Sequence, residues 1–165
     1  HDHPHMAPTD LICAGEIEQL GLKGEYAGRM GLGQNHFTLD APVTPRELAK
    51  LIEEKLSVAH VRICGMTDEP CTKLSLGWGA PGGIMEELSN DETEIVVVGE
   101  CCEWQFCEYA RDAYQLGFKK SLLMVGHCGS ERDGMKYVAK LLEEKIPGIE
   151  VKYIESREVY TYPER

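Results

Sequence analysis

Residues Glu94 to Val98 read Glu-Ile-Val-Val-Val, and Gly99-Glu100 follows at once. The β-branched run is too short for a helix and lacks the polar–apolar alternation of a strand with one wet face. It predicts a strand buried on both faces, with layers of structure above and below, and so an α/β architecture.

The rest of the chain agrees with that frame. Ser121 to Val125 is a second apolar strand, and Ala59 to Cys64 and Glu150 to Ile154 are further strand candidates. Helices are expected from about Cys102 to Leu116, closed by Gly117, and from about Ser130 to Lys145, stopped by Pro147 and Gly148. Thr44, Pro45 and Glu47 form a capping box with proline at the first helical position, opening a helix with Leu48, Leu51, Ile52 and Leu56 on one stripe. A helix over Pro8 to Leu22 is capped by Thr9 or Asp10. Gly24 to Gly33 reads as turn-like, His36 to Leu39 as a short strand, and Gly65 to Gly83 as a long glycine-rich loop before a short helix near Ile84. Strands alternating with helices at this spacing predict right-handed crossovers and a mainly parallel sheet flanked by helices. In such sheets ligands sit at the C-terminal strand ends, here Gly65 onward, Gly99-Glu100 and Gly126-His127.

Composition narrows the partners. The 165 residues are enough for one domain with a real core. A net charge of −11, with no basic run, argues against nucleic acid. Seven cysteines, three of them within residues 101–107, fit free thiols in a reducing cytoplasm better than a disulfide framework. No apolar run approaches a membrane span.

His127 and Glu131 would lie one turn apart if the helix has begun by His127, and imidazole with carboxylate suits zinc, iron, manganese or nickel. A solvated helix start is the plainer alternative. Glu100 could serve as a general base, as a partner orienting a metal-bound histidine, or simply as a charge at a helix N-terminus. Cys101, Cys102 and Cys107 lack the spacing of a structural zinc site, and Cys107 reads as small apolar filling beside Phe106 and Ala110. Trp78 offers a ring for stacking or a buried anchor. His1-Asp2-His3-Pro4-His5 is dense in ligands; an extended backbone would turn His1, His3 and His5 toward one site, although a histidine-rich start before Met6 also fits an affinity-tag remnant.

Gly126-His127-Cys128-Gly129-Ser130-Glu131-Arg132-Asp133-Gly134 resembles the Gly-His-x-x-(Ser/Thr)-Glu-Arg-x-Gly signature of the Nif-three-like dinuclear metal-centre family, whose bacterial members are often labelled GTP cyclohydrolase 1 type 2 homologues. Val97-Val98-Gly99-Glu100 is similar to the family's Thr-Gly-(Glu/Asp) strand end, with Val98 in place of threonine. The resemblance implies that His127 and Glu131 are metal ligands. It aligns His1 to His5 with a His-Thr-Asn-x-Asp segment and puts His5 at the ligand position. It also implies an α/β fold of two related halves, two divalent metal ions and a toroidal homohexamer. The family's N-terminal His-His-Pro or His-Glu-Pro motif has no counterpart, so residues 1–165 are expected to be the C-terminal portion of such a protein.

Two functions follow as expectations. One is a metal-dependent hydrolase of cyclohydrolase or phosphoesterase type, acting on a small molecule through two metal ions with Glu100 moving protons. The other is a non-catalytic metal-binding scaffold, chaperone or regulatory hexamer.

Overall fold

A computed structural model describes residues 2–31 and 33–163. The buried run lies inside a six-stranded sheet formed by the described residues, in the order β1-β2-β4-β5-β6-β3. These strands are β1 (Gly24–Met30), β2 (Gln34–Val43), β3 (Arg62–Gly65), β4 (Cys71–Gly77), β5 (Ile95–Val98) and β6 (Ser121–Met124). The helices are α1 (Asp2–Met6), α2 (Leu11–Leu20), α3 (Pro45–Leu56), α4 (Ile84–Ser89), α5 (Glu108–Gln115) and α6 (Arg132–Lys145).

The fold is α/β as expected, but the sheet is mixed. β4, β5 and β6 run parallel, whereas β1–β2, β2–β4 and β3–β6 pair antiparallel. β5 is buried at all four positions and faces two cores. Ile95 and Val97 pack with α2 and α3 residues such as Ile12 and Ile52, and Val96 and Val98 pack with Leu122, Met124 and Ala110 on the other side. That two-sided burial removes the alternation a half-wet strand would show.

Several expectations are corrected. The turn-like Gly24 to Gly33 is mostly β1, whose glycines hide the strand pattern; a register irregularity between Tyr26 and Gly28 marks the irregular backbone. β4 lies inside the predicted loop, its Leu74 and Leu76 pointing into the core while Thr72, Lys73 and Ser75 dilute the apolar signal. The predicted strand at Ala59 to Cys64 begins only at Arg62. Glu150 to Ile154 joins no ladder; its alternation reflects docking, because Val151 and Tyr153 line a groove with Met135, Val138 and Leu142 of α6. The segment opening the chain is helical rather than extended. Pro4 is tolerated there because first-turn amides have no intrahelical acceptor to lose.

The capping box stands as read: Thr44 accepts from the Glu47 amide, and the Glu47 carboxylate receives the Thr44 N–H at 2.9 Å. Asp10 is the cap of α2, accepting from the Cys13 amide at 3.0 Å. α2 and α6 cross closely because Gly134 has no Cβ; one there would stand 2.7 Å from the Ile12 Cα. This crossing sets the start of α2 beside the start of α6.

Candidate metal centre

The three parallel strands bring their C-terminal ends together. Past β4 the chain reaches Gly79, past β5 Glu100, and past β6 His127. The ladder extends through these turns: the Glu100 amide donates to the Gly79 carbonyl at 2.8 Å, and the Gly126 amide to the Gly99 carbonyl at 2.8 Å. Gly126 turns the chain with φ +101°, a backbone open chiefly to glycine. A 3-10 turn over Cys128–Ser130 then leads into α6. Ser130 is fully buried; its hydroxyl accepts from the Gly79 amide at 2.9 Å and donates to the His127 carbonyl at 2.8 Å.

This scaffold places His127 and Glu131 on one side of the turn, with His127 Nε2 3.3 Å from Glu131 Oε2. The other Glu131 oxygen, Oε1, meets His5 Nε2 at 3.2 Å. One carboxylate therefore joins two imidazoles from sequence-distant segments. Each ring is held through its second nitrogen: His5 Nδ1 by Asp10 Oδ2 at 3.1 Å, and His127 Nδ1 by Glu100 Oε1 at 3.0 Å. Of the three roles open to Glu100, the geometry matches that of an orienting partner.

His3 does not share this position. Helical positions two apart project about 200° from each other, so His5 turns inward while His3 is exposed. His1 lies outside the described residues.

The surroundings decide the charge state. Burial works to lower the His5 pKa, but the hydrogen bonds and charges of Asp10 and Glu131 outweigh it and raise it to about 9. Burial works to raise the Asp10 carboxyl, yet bonds from His5, the Cys13 amide and Asn35 hold it below the ordinary carboxylate range. His5 thus sits with one ring nitrogen on each of two acidic side chains, Asp10 and Glu131.

Sequence reading assigned Asp10 only a capping role, met Ser130 only as a position of the signature, and did not single out Asn35 or Arg29. Asn35 donates to Asp10 at 3.1 Å, and Arg29 donates to the His5 carbonyl at 2.6 Å. Asp10 was legible as a cap and Ser130 through the signature; Asn35 and Arg29 are scattered singly and carry no spacing signal. The glycine-rich sequel of β4 also belongs here. A Cβ on Gly79 would stand 2.0 Å from Glu131 Oε1, so a side chain there would displace the carboxylate. A cavity of about 410 Å³ opens over the centre, lined by Asp2, His5, Arg29, Trp78, His127 and Glu131 among others. Trp78 is 3% exposed, an anchor whose edge also forms the wall. Among the described residues no group of three or more His, Cys, Asp or Glu is placed to hold a metal ion. No helix of the described residues is long and apolar enough to cross a membrane.

A family model described as Duf34/NIF3 (NGG1p interacting factor 3) matches residues 10–160. A curated relative from Pyrococcus abyssi, a GTP cyclohydrolase 1 type 2 homolog, is 28% identical over 157 residues, which is 93% of this chain and 58% of the relative. The solved structure of protein ybgI, of unknown function, aligns with a TM-score of 0.69 at 23% identity, over 94% of this chain and 58% of that one. A Staphylococcus aureus hypothetical protein, SA1388, aligns at 0.68 and 16% identity, over 92% and 64%. The two structures share the fold, and the chain spans little more than half the length of the curated relative it matches. With the family model covering most of its residues, the chain belongs to the Duf34/NIF3 family.

Proposed function

We propose that this chain contributes a divalent-metal centre built on His5, His127 and Glu131, serving hydrolysis of a small molecule of the cyclohydrolase or phosphoester class. The observation that carries this reading is the bridging carboxylate, with Glu131 turning one oxygen to each imidazole at 3.2 and 3.3 Å. The donor types fit the group. Imidazole nitrogen and carboxylate oxygen suit zinc, iron, manganese or nickel. Separations of this size are those of adjacent donors around a cation bonded at about 2.0–2.2 Å. Asp10 and Glu131 raise the His5 pKa against the effect of burial, so the acidic pair favours positive charge at this position.

Two such ions, when bound, would provide Lewis acidity and a water of lowered pKa. The chain's own residues do the rest. Asp10 and Glu100 fix the rings through Nδ1 and leave both Nε2 atoms turned to the centre. Glu100 is exposed and lies where a carboxylate can pass a proton between the centre and solvent. Trp78 excludes water along one wall of the cavity, and Arg29 brings a guanidinium to another. Seven free thiols suit a reducing cytoplasm.

A non-catalytic scaffold, chaperone or regulatory assembly is the second reading. It is favoured by the family description, which names a factor that interacts with another protein.

Metal content by plasma mass spectrometry, with and without Glu131→Gln, tests the binding claim. Bound divalent metal that disappears in the variant is expected. Turnover by the loaded protein of a nucleotide, pterin or phosphoester supports the hydrolase, whereas metal without turnover on any of them favours the scaffold. No metal in either protein contradicts both readings.

A further inference from the structure

The sheet face opposite α2 and α3 carries a second group of ligand atoms, all of them sulfur. Met124 of β6 points to this face, 3% exposed, among Val98, Leu122 and Ala110. Its Sδ lies 3.3 Å from Cys101 Sγ and 3.7 Å from Cys107 Sγ. Cys64, on neighbouring β3, packs its thiol against that of Cys107. The residues come from the turn after β5, the segment before α5, and strands β6 and β3. Sequence spacing alone had made Cys107 apolar filling.

The backbone that presents Cys107 is unusual. Residues Glu103–Cys107 form a π-helical turn ahead of α5, a rare geometry that recurs at functional sites. All three cysteines are partly exposed while Met124 is buried, so the cluster is reachable from one side and apolar on the other. Above it Arg62 donates to Glu103 at 2.5 Å, holding a guanidinium near the thiols. Cys101 also lines a separate opening of about 370 Å³ with Cys102 and Phe106.

We propose that Cys101, Cys107 and Met124 form a three-sulfur site for a soft monovalent cation, Cu(I) in class, with Cys64 as a fourth sulfur at its edge. Thiolate and thioether donors together select such cations. Sulfurs bonded to one cation at about 2.3 Å in a trigonal plane stand roughly 4 Å apart, so the Met124 contacts at 3.3 and 3.7 Å would lengthen as the cation enters. Zinc is disfavoured, because thioether is not among its usual donors. Binding releases the two thiol protons to solvent. The resulting site, two thiolates and one cation, carries a single negative charge beside the Arg62–Glu103 pair.

The test is anaerobic titration of the reduced chain with Cu(I) held by the coloured chelator bathocuproine disulfonate. The wild type is expected to withdraw one copper per chain. Cys101→Ser and Cys107→Ser should each weaken that withdrawal by at least about tenfold, and the volume-conserving Met124→Leu should also weaken it while keeping the circular dichroism of the wild type. Cys102→Ser should bind like the wild type, and retention in Glu131→Gln separates this site from the metal centre above. Wild-type affinity in Cys101→Ser, Cys107→Ser and Met124→Leu, loss in Cys102→Ser or Glu131→Gln instead, or no withdrawal by the wild type would overturn the proposal.

Discussion

Glu16 shows how one buried side chain couples the fold to pH. It is fully buried in α2, where Oε1 accepts from the Gly134 amide at 2.8 Å and Oε2 has no hydrogen-bond partner. Burial, with Asp133 nearby, pushes its pKa from 4.5 up to about 8. A carboxyl raised in the folded state gives its stability in full below its unfolded pKa and loses it as pH rises through the folded one. Between about pH 5 and about pH 9, the wild type should therefore lose stability that Glu16→Gln keeps; urea midpoints at both ends measure this, and identical slopes would refute it. At Gly79 the constraint is steric. Gly79→Ala adds a Cβ within 2.0 Å of Glu131 Oε1 at φ +73°, so metal uptake should fall sharply, read by metal content of the folded variant. Glycine-flanked His127 and Glu131 were legible in sequence because a turn and a helical spacing are local. The pairing of His5 with Glu131 spans 126 positions and was reached only through resemblance, with the wrong backbone for the segment.

Elements with local causes were read best. The capping box of α3 needs only Thr44, Pro45 and Glu47, and Thr44→Ala should cost about 1 kcal/mol in chemical denaturation. β5 and β6 were read because two-sided burial leaves an uninterrupted apolar run. β1 and β4 were missed because glycines and buried polar residues, such as Ser75 bonded to Gln34 at 2.8 Å, break that pattern. Strand direction depends on connections between distant segments, which explains the mixed sheet where a mainly parallel one was expected. The α2–α6 crossing follows the same logic: Gly134→Ala would press on the Ile12 backbone and should cost about 1–3 kcal/mol. It should also weaken metal binding, since it moves Asp10 away from Glu131. Destabilisation without any change in metal affinity would mean the crossing does not position the centre.

At the scale of the whole molecule, the centre gathers residues from α1, the start of α2, the ends of β5 and β6 and the entry to α6. That arrangement leaves it at one end of the sheet, open into its cavity. The central claim is that Glu131 joins His5 and His127 around divalent metal. Crystals of the zinc- or manganese-loaded protein, measured on either side of the metal absorption edge, test it directly. An anomalous peak among His5 Nε2, His127 Nε2 and the Glu131 carboxylate is predicted. A loaded crystal with its anomalous density elsewhere, and the His5–Glu131–His127 contacts intact, would contradict the claim.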